Sequence, residues 1–319
     1  MDTPSDKSEI THSEKQGIVL SIIGFVDHNY KKLIFIPITL LILSLIQISY
    51  QTATTGDFIN RGISLKGGIT LTVPLEKQID LNAVETSLKD LFPRNEINVR
   101  SLASAGQQAG IVVESDFGLS DQLAVNKTLE AIGRFAGSKI IQYNIEGIGS
   151  SLSSSFFREI IFALVIAFIF MSIVVIITFR TPIPSGAVIL SAFADIVITI
   201  AVVNLLGIKL ETGAIAAYLM LIGYSVDTDI LLTTKMVRSK EGSTTDRVRR
   251  AMFTGLMMTS TVIVAVTAAL IFSHSDTIRQ MMTILLIGCF ADIINTWITN
   301  VAILRWYVER KRMHHEHQV

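Results

Sequence analysis

Two carboxylates lie in a stretch of the sequence that is otherwise apolar enough to cross a membrane. The apolar run extends from about 212 to 234, and its centre reads Gly223-Tyr-Ser-Val-Asp227-Thr-Asp229-Ile-Leu. A charged side chain in the hydrocarbon core costs about 2.5–3.5 kcal/mol on insertion scales, so such residues are rare and are usually functional. The two acids are therefore the first candidate site residues of the chain.

Two further acids lie near the middles of other apolar runs, Asp195 and Asp292. Burial in hydrocarbon disfavours the charged form of a carboxyl group, so a buried acid can take up and release a proton. A proton carries about 2.3 kcal/mol across roughly 100 mV, enough to bias a conformational step. We hypothesise that Asp227 is the coupling carboxylate and that Asp195 and Asp292 support it. The alternative is structural: the acids are interhelical hydrogen-bond partners of Asn204, Asn295 and Asn300.

Helix geometry separates the two acids of the fourth apolar run. Asp227 lies over Gly223 and Tyr224, one turn back, where the glycine allows a neighbouring backbone to come close. Asp229 points about 200° away, beside Ser225. The two acids are thus expected to face different surroundings, one a bundle interface and the other a partner or a water-filled cleft.

One arginine at the start of the fifth apolar run is a further candidate. Arg250 lies at the predicted membrane edge, where its side chain either marks the topology or reaches inward toward an acid. The Thr and Ser residues that follow it in the same run are of a kind that most often bonds the helix backbone. The sequence leaves both readings of Arg250 open.

The composition favours a membrane protein. Of the 319 residues 50% are hydrophobic and 17% are charged, and the net charge is zero, so nothing suggests a nucleic-acid partner. A single cysteine, Cys289, excludes a disulfide within the chain. Phosphate-binding loops, zinc-protease helices and nucleophile elbows are absent, and Gly67-Gly68 begins a strand rather than a helix. We therefore expect neither an enzyme nor a bound cofactor or metal.

Six apolar runs of spanning length divide the chain. A polar tail with an interfacial segment (1–30) precedes the first span (31–50), and a soluble domain (51–155) follows it. A five-helix membrane unit (156–306) and a polar tail (307–319) complete the chain, with spans at about 156–179, 185–206, 212–234, 251–272 and 280–306. The loops on one side carry thirteen Lys and Arg residues, whereas the short loops on the other side carry only Lys209 and Arg279. The positive-inside rule then predicts a multi-pass cell-membrane protein with both termini cytoplasmic and the 51–155 domain extracellular.

The inserted domain has the pattern of a ferredoxin-like fold. Alternating residues predict strands at 68–75, 96–102, 109–114 and 139–145, and amphipathic patterns predict helices at 80–92 and from 120 onward. The resulting β-α-β-β-α-β order is that of a split βαβ domain. The segment 147–155, GIGSSLSSS, is expected to be a flexible linker back to the membrane.

One span, an external domain and five more spans make up half of the twelve-helix pattern of resistance-nodulation-division (RND) transporters. Parallel repeats in transporters pair about a central interface, so a stand-alone half is expected to bind a homologous six-helix partner. Two other functions fit the same layout. One is half of an RND-type exporter of small hydrophobic molecules, for which the inserted domain is small. The other is a scaffold that stabilises a translocation channel without moving ions.

Three stretches of this sequence, at 62–68, 223–231 and 250–259, together resemble the SecF family of protein-export membrane proteins, most closely its archaeal branch, within the RND superfamily. The Gly223–Leu231 stretch is similar to the signature of the fourth span. Gly62-Ile-Ser64-Leu-Lys-Gly67-Gly68 resembles the Gly-Leu-Asp-x-x-Gly-Gly motif that begins the external domain, and the stretch 250–259 resembles the start of the fifth span in bacterial members. The resemblance covers about residues 30–306.

The resemblance implies a non-enzymatic subunit that pairs with SecD and assists translocation of polypeptides through the Sec translocon channel in the lipid bilayer. It also implies use of the proton (or sodium) gradient, and motif matching points to Asp227 and Arg250 for that role. Two departures bear on the site residues. Ser64 replaces the usual Asp of the external motif, and bacterial members have Asn-Asp where this chain has Asp227-Thr-Asp229.

Overall fold

The computed structural model of the chain describes residues 33–75, 77–104, 107–118, 120–238, 243–273 and 275–316. The predicted polar tail with its interfacial segment (1–30) lies outside these residues. In chain order the elements are α1 (Phe35–Thr55), α2 (Ile63–Lys66), β1 (Gly68–Pro74), α3 (Leu81–Leu91), β2 (Ile97–Ser104), β3 (Gln107–Ser115), α4 (Gln122–Ala136), β4 (Asn144–Ile148), α5 (Ser150–Phe179), α6 (Pro182–Leu205), α7 (Thr212–Thr233), α8 (Thr244–Phe272), α9 (Asp276–Ile294) and α10 (Val301–Glu316). Single π-helical segments follow α7 (Thr234–Arg238) and α9 (Asn295–Asn300).

Among the residues that the structure describes, six helices are long and apolar enough to cross a membrane: α1, α5, α6, α7 with its π segment, α8, and the continuous α9–π–α10 helix. The helices α6, α7 and α9 pack against one another at the centre of the bundle. Around them, α1 packs on α6, α5 contacts α6 and α7, and α8 contacts α7 and α9. Large apolar side chains on the outer faces of α1 and α5 are exposed, as is typical of surfaces that meet lipid.

The inserted domain is an antiparallel sheet of strand order β2-β3-β1-β4. Alternate residues of β1 point into its core, and Ile69, Leu71 and Val73 are buried there with Val84 and Leu88 of α3. Two helices connect the strands, and both begin at aspartate caps: Asp80 for α3 and Asp121 for α4. The ferredoxin-like topology and the six-helix half-bundle confirm the predicted fold class.

Two predictions for the end of the inserted domain are wrong. The last strand lies at Asn144–Ile148 rather than at 139–145, because these residues pair with Gly68–Thr72 of the central strand β1. The segment 147–155 is not a flexible linker, since Gly147 and Ile148 complete β4 and α5 begins at Ser150. The inserted domain is therefore joined to α5 without an intervening flexible segment.

The chain alternates between two ends of the bundle. The domain, the α6–α7 loop and the α8–α9 loop lie at one end, here called the domain end. The α5–α6 loop, the start of α8 and the end of α10 lie at the other. This alternation follows from the order of the spans and positions every site residue described below.

Candidate functional site

Three of the predicted acids lie together inside the bundle. Asp195 of α6, Asp229 of α7 and Asp292 of α9 are each 0% exposed. Each of the three central helices thus contributes one carboxyl group to a single buried group, here called the acid cluster. Within the described residues none of the three acids forms an ion pair, so neutral donors provide their hydrogen bonds.

Asp195 is held from two neighbouring helices. The Ser225 hydroxyl of α7 donates to Asp195 Oδ2 at 2.5 Å, and the Asn295 amide donates from Nδ2 to Oδ1 at 2.6 Å. Both donors are neutral, one a hydroxyl and the other an amide, and each carboxyl oxygen of Asp195 accepts one of these two hydrogen bonds. Asp195 therefore fastens α6 to α7 and to the π segment.

A single hydroxyl lies between the other two acids. Thr296 Oγ1 is 2.9 Å from Asp229 Oδ1 and 2.9 Å from Asp292 Oδ1. A threonine hydroxyl donates only one hydrogen, and an ionised carboxylate is an acceptor only. Two separate hydrogen bonds form at the same time when one carboxyl group carries a proton and donates to the hydroxyl, whereas two ionised acids have to share the single hydrogen in a bifurcated bond. The geometry thus suits a cluster that holds a proton.

Thr228 repeats this arrangement on the other side of Asp292. Its Oγ1 lies 2.8 Å from the Ser225 carbonyl oxygen and 3.2 Å from both carboxyl oxygens of Asp292. When the single hydroxyl hydrogen goes to the Ser225 carbonyl, Asp292 must donate to Thr228 for that contact to be a hydrogen bond. Two hydroxyl groups therefore place Asp292 where a protonated carboxyl group would be satisfied.

The π segment of the sixth span directs amide groups at the cluster. Asn295 and Asn300, five residues apart, are both buried, and the Asn300 amide donates to Asp229 Oδ1 at 2.7 Å. A π-helical turn aligns residues at this spacing, and such turns occur frequently at functional sites. The other oxygen of Asp229, Oδ2, is buried without a hydrogen-bond partner among the described residues.

The π segment packs against α8 through the ring of its own Trp297. A Cβ atom built on Gly255 of α8 would lie 2.2 Å from Trp297 Cζ2. The ring thus occupies the space above the glycine, and only hydrogen at this position of α8 leaves room for it.

Asp227 lies apart from the cluster. As helix geometry predicts, Asp227 and Asp229 lie on different faces of α7, and the Asp227 side chain is exposed. The predicted close approach at Gly223 is not made within the described part of this chain, since a Cβ atom there would meet nothing within 4 Å. The reason is that Gly223 and Asp227 lie on the side of α7 that faces away from the bundle core, while Tyr224 beside them is partly buried.

Arg250 is exposed in the second turn of α8, at the end of the bundle opposite the domain. The hydroxyls of the same helix bond their own backbone: Thr254 donates to the Arg250 carbonyl at 2.9 Å and Thr259 to the Gly255 carbonyl at 3.0 Å. These hydroxyl groups therefore bond the backbone of their own helix, as the sequence analysis expects of such residues.

The glycines of the domain motif mark close approaches. A Cβ atom on Gly62 would lie 2.0 Å from Glu211 Oε1, and one on Gly67 would lie 2.5 Å from Ser150 Cα. Gly68 has φ +146°, and its added Cβ would lie 2.3 Å from the Ser115 carbonyl oxygen. The motif therefore packs one short segment against α5, α7 and the sheet.

Sequence reasoning missed the hydroxyl residues that bridge the acids and the carboxylate at the start of α7. Thr228 and Thr296 are unremarkable as residue types in a membrane helix, where most hydroxyls bond their own backbone. The polar group Asn295-Thr296 within the apolar run 280–306 was an available signal. For Glu211 the sequence offered no such signal, because Ser64, to which it is hydrogen-bonded, lies 147 residues away.

Residues 128–310 match the family described as "Protein export membrane protein SecD/SecF, C-terminal". The protein-export membrane protein SecF of Methanocaldococcus jannaschii is 37% identical over 289 residues, covering 89% of this chain and 98% of that protein. The chain belongs to the SecF family. SecF of Methanothermobacter thermautotrophicus is 33% identical over 301 residues, covering 92% of this chain and 99% of that protein. The family resemblance drawn from the motifs is thereby confirmed.

Solved structures support the fold of this SecF-family chain. The crystal structure of SecDF, a translocon-associated membrane protein from Thermus thermophilus, matches with a TM-score of 0.67 at 16% identity. The match covers 88% of this chain but 38% of that polypeptide. SecDF in its super-membrane-facing form matches with a TM-score of 0.59 at 18% identity, covering 91% of this chain and 39% of that one. The chain is thus a multi-pass membrane protein with the fold of part of SecDF.

Proposed function

We propose that this chain is the SecF half of a complex with SecD that assists polypeptide translocation through the Sec channel and draws on an ion gradient through the acid cluster. The observation that carries the proposal is the position of Thr296, 2.9 Å from both Asp229 and Asp292. A buried cluster in which one hydroxyl group bridges two acids is suited to gaining and losing protons.

The cluster also has a means of converting proton binding into movement. Its three acids come from α6, α7 and α9, so each change of protonation alters the electrostatic interaction among three helices. Charges interact more strongly away from water than in it. A proton that enters from one side and leaves on the other carries about 2.3 kcal/mol for roughly 100 mV.

An exposed stripe on α7 supports pairing with SecD. It consists of exposed residues on successive turns of one face of the helix: Ala216, Leu219, Met220, Gly223 and Asp227. An aspartate facing lipid costs about 2.5–3.5 kcal/mol, so a partner helix with a polar or basic side chain is the favourable neighbour for Asp227. Gly223 in the same stripe lets that helix approach closely. Asp227 is thus proposed as an interface acid, with the acid cluster as a second site inside this half.

The proposed orientation places the ferredoxin-like domain outside the cell and both termini in the cytoplasm. The loops opposite the domain are rich in basic residues, whereas the loops at the domain end carry Lys209 and Arg279. This distribution agrees with the positive-inside rule. Arg250, on the second turn of α8, lies at the proposed cytoplasmic end of the bundle.

The test is gradient-dependent export in vesicles that contain this chain, SecD and the channel. We expect Asp229→Asn and Asp292→Asn each to abolish the gradient-dependent part of export. The matched control is Asp90→Asn, an exposed acid on α3 of the ferredoxin-like domain, which should export at the original rate. If both cluster variants export normally under a gradient, ion coupling through the cluster is wrong and the scaffold function is favoured.

A further inference from the structure

The carboxylate of Glu211 reaches across from the α6–α7 loop to the domain motif. Its Oε2 accepts a hydrogen bond from the Ser64 backbone N–H at 3.2 Å and another from the Ser64 hydroxyl. Gly62 makes this possible, since any side chain there would collide with Glu211 Oε1. A carboxylate from another segment of the chain thus lies directly beside Ser64.

Ser64 in return caps α7. The first residue of α7 donates its N–H to Ser64 Oγ at 3.2 Å, and Glu211 at the cap position makes no capping bond with its own side chain. Unpaired N–H groups at a helix start require an acceptor, and here the acceptor comes from α2. The bond is therefore reciprocal: the serine caps the helix, and the carboxylate before the helix holds the serine.

Neighbouring bonds strengthen the same junction. Leu210 N–H donates to the Asn60 carbonyl at 2.7 Å, and Gly62 N–H donates to the Leu210 carbonyl at 2.8 Å. Asn204 at the end of α6 donates from Nδ2 to the Phe58 carbonyl at 3.0 Å. The segment 58–66 is thus fastened to the ends of two central helices, and Leu65 and Ile59 are buried in the bundle core.

The ferredoxin-like domain continues from this segment. Gly67, which follows α2, packs against Ser150 at the start of α5, and β1 begins at Gly68. Asp229 lies eighteen residues beyond Glu211 in sequence, which is about 27 Å along a helix. One straight helix therefore has the domain junction at one end and an acid of the cluster near the other.

We propose that Glu211 is a positioning residue that couples α7 to the ferredoxin-like domain, so that movements of α7 set by the acid cluster are passed to the domain. The proposal rests on the proposed function, because it assigns the output of the same cluster. Glu211 does not exchange protons in this scheme. It maintains the connection through which α7 moves Ser64 and, with it, Gly67 and the domain.

The test moves the carboxylate from position 211 to position 64. Glu211→Ser and Ser64→Asp should each lower gradient-dependent export about tenfold, within the usual range of coupling between sites. The first removes the carboxylate, and the second adds a like charge beside it. The double variant Ser64→Asp with Glu211→Ser restores one carboxylate, which can accept the N–H of Thr212, and should regain most of the export. Glu130→Gln, an exposed acid on α4, is the control.

A second measurement separates this inference from the proposed function. Infrared absorption of protonated carboxyl groups, followed as pH changes, should retain the contribution of the cluster in Glu211→Ser and lose it in Asp292→Asn. The inference is overturned if Glu211→Ser exports normally while Asp292→Asn does not, or if the double variant stays as impaired as the single ones. Normal export by both Glu211→Ser and Asp292→Asn would instead contradict the proposed function.

Discussion

Asp229 and Asp292 lie on different helices and share one threonine hydroxyl, with each Oδ1 2.9 Å from Thr296 Oγ1. In the proposed function, this relationship is what makes the packing of α7 against α9 depend on the number of protons in the cluster. With both acids ionised, the hydroxyl satisfies only one of them. With one acid protonated, the hydroxyl both donates and accepts, and the two helices are joined by a continuous chain of hydrogen bonds.

Replacing this hydroxyl should uncouple the two helices. Thr296→Val keeps the shape of the side chain and leaves buried acceptors unsatisfied, so we expect a loss of stability of about 1–3 kcal/mol and reduced gradient-dependent export. Thr296→Ser retains the hydroxyl and should keep most of the export. Thermal unfolding in detergent and the vesicle assay measure the two effects. Equal export by the Val and Ser variants would contradict a role for the bridge.

The contact between the domain and the α6–α7 loop should depend on pH through Glu96. Burial raises the pKa of Glu96, but the hydrogen bonds and charges of Lys66 and Lys209 outweigh it and hold the pKa below its ordinary value of 4.5. The ammonium groups lie 2.8 Å and 3.5 Å from the carboxylate. A lowered folded-state pKa stabilises the contact above 4.5, and this stabilisation is lost as pH falls through the lowered pKa.

This loss can be followed by energy transfer between dyes on cysteines introduced at Asp90 of the domain and Leu205 of α6. We expect the transfer efficiency to change as the pH falls and, because the ions are partly exposed, as the salt concentration rises. Glu96→Gln should show the acid value at every pH. A transfer efficiency that is independent of pH in the unsubstituted chain would show that the ion pairs do not hold the domain.

A substitution in the exposed stripe of α7 should weaken binding to SecD without changing the stability of this chain. Gly223→Leu should leave the isolated chain as stable as before, because a Cβ atom at this position meets nothing within 4 Å. The same change should weaken co-purification with SecD, since the larger side chain prevents close helix approach. Gly186→Leu, at another uncontacted helix position, is the matched control. Unchanged co-purification of the Gly223 variant would place the partner elsewhere.

A larger side chain at Gly255, unlike one at Gly223, should lower the stability of the chain itself. Gly255→Ala sets a methyl group 2.2 Å from the buried Trp297 ring, and overpacking of this kind costs about 1–3 kcal/mol. Gly186→Ala, where no neighbour is within 4 Å, should instead be neutral or stabilising by about 0.5–1 kcal/mol. The difference in unfolding temperature between the two variants measures the effect. Similar temperatures would mean that the ring moves aside at little cost.

Much of the architecture could be predicted because it follows from local periodicity. The apolar runs predict the spans, and the alternation of Ile69, Leu71 and Val73 predicts a half-buried strand. The end of the domain could not be predicted in this way. Residues 139–143 have a strand-like composition, but pairing with the central strand β1 places β4 at Asn144–Ile148. Strand register depends on a partner far away in sequence, so local composition does not determine it.

For the site, the sequence by itself determined that four acids lie in membrane helices and that Asp227 and Asp229 face different directions, because both follow from composition and a fixed rotation of about 100° per residue. Only the tertiary structure decided which direction is inward. It buried Asp229 with Asp195 and Asp292, exposed Asp227, and brought Glu211 to Ser64. Helix rotation is a local property, whereas the packing of α6, α7 and α9 is set by contacts between residues up to 100 positions apart.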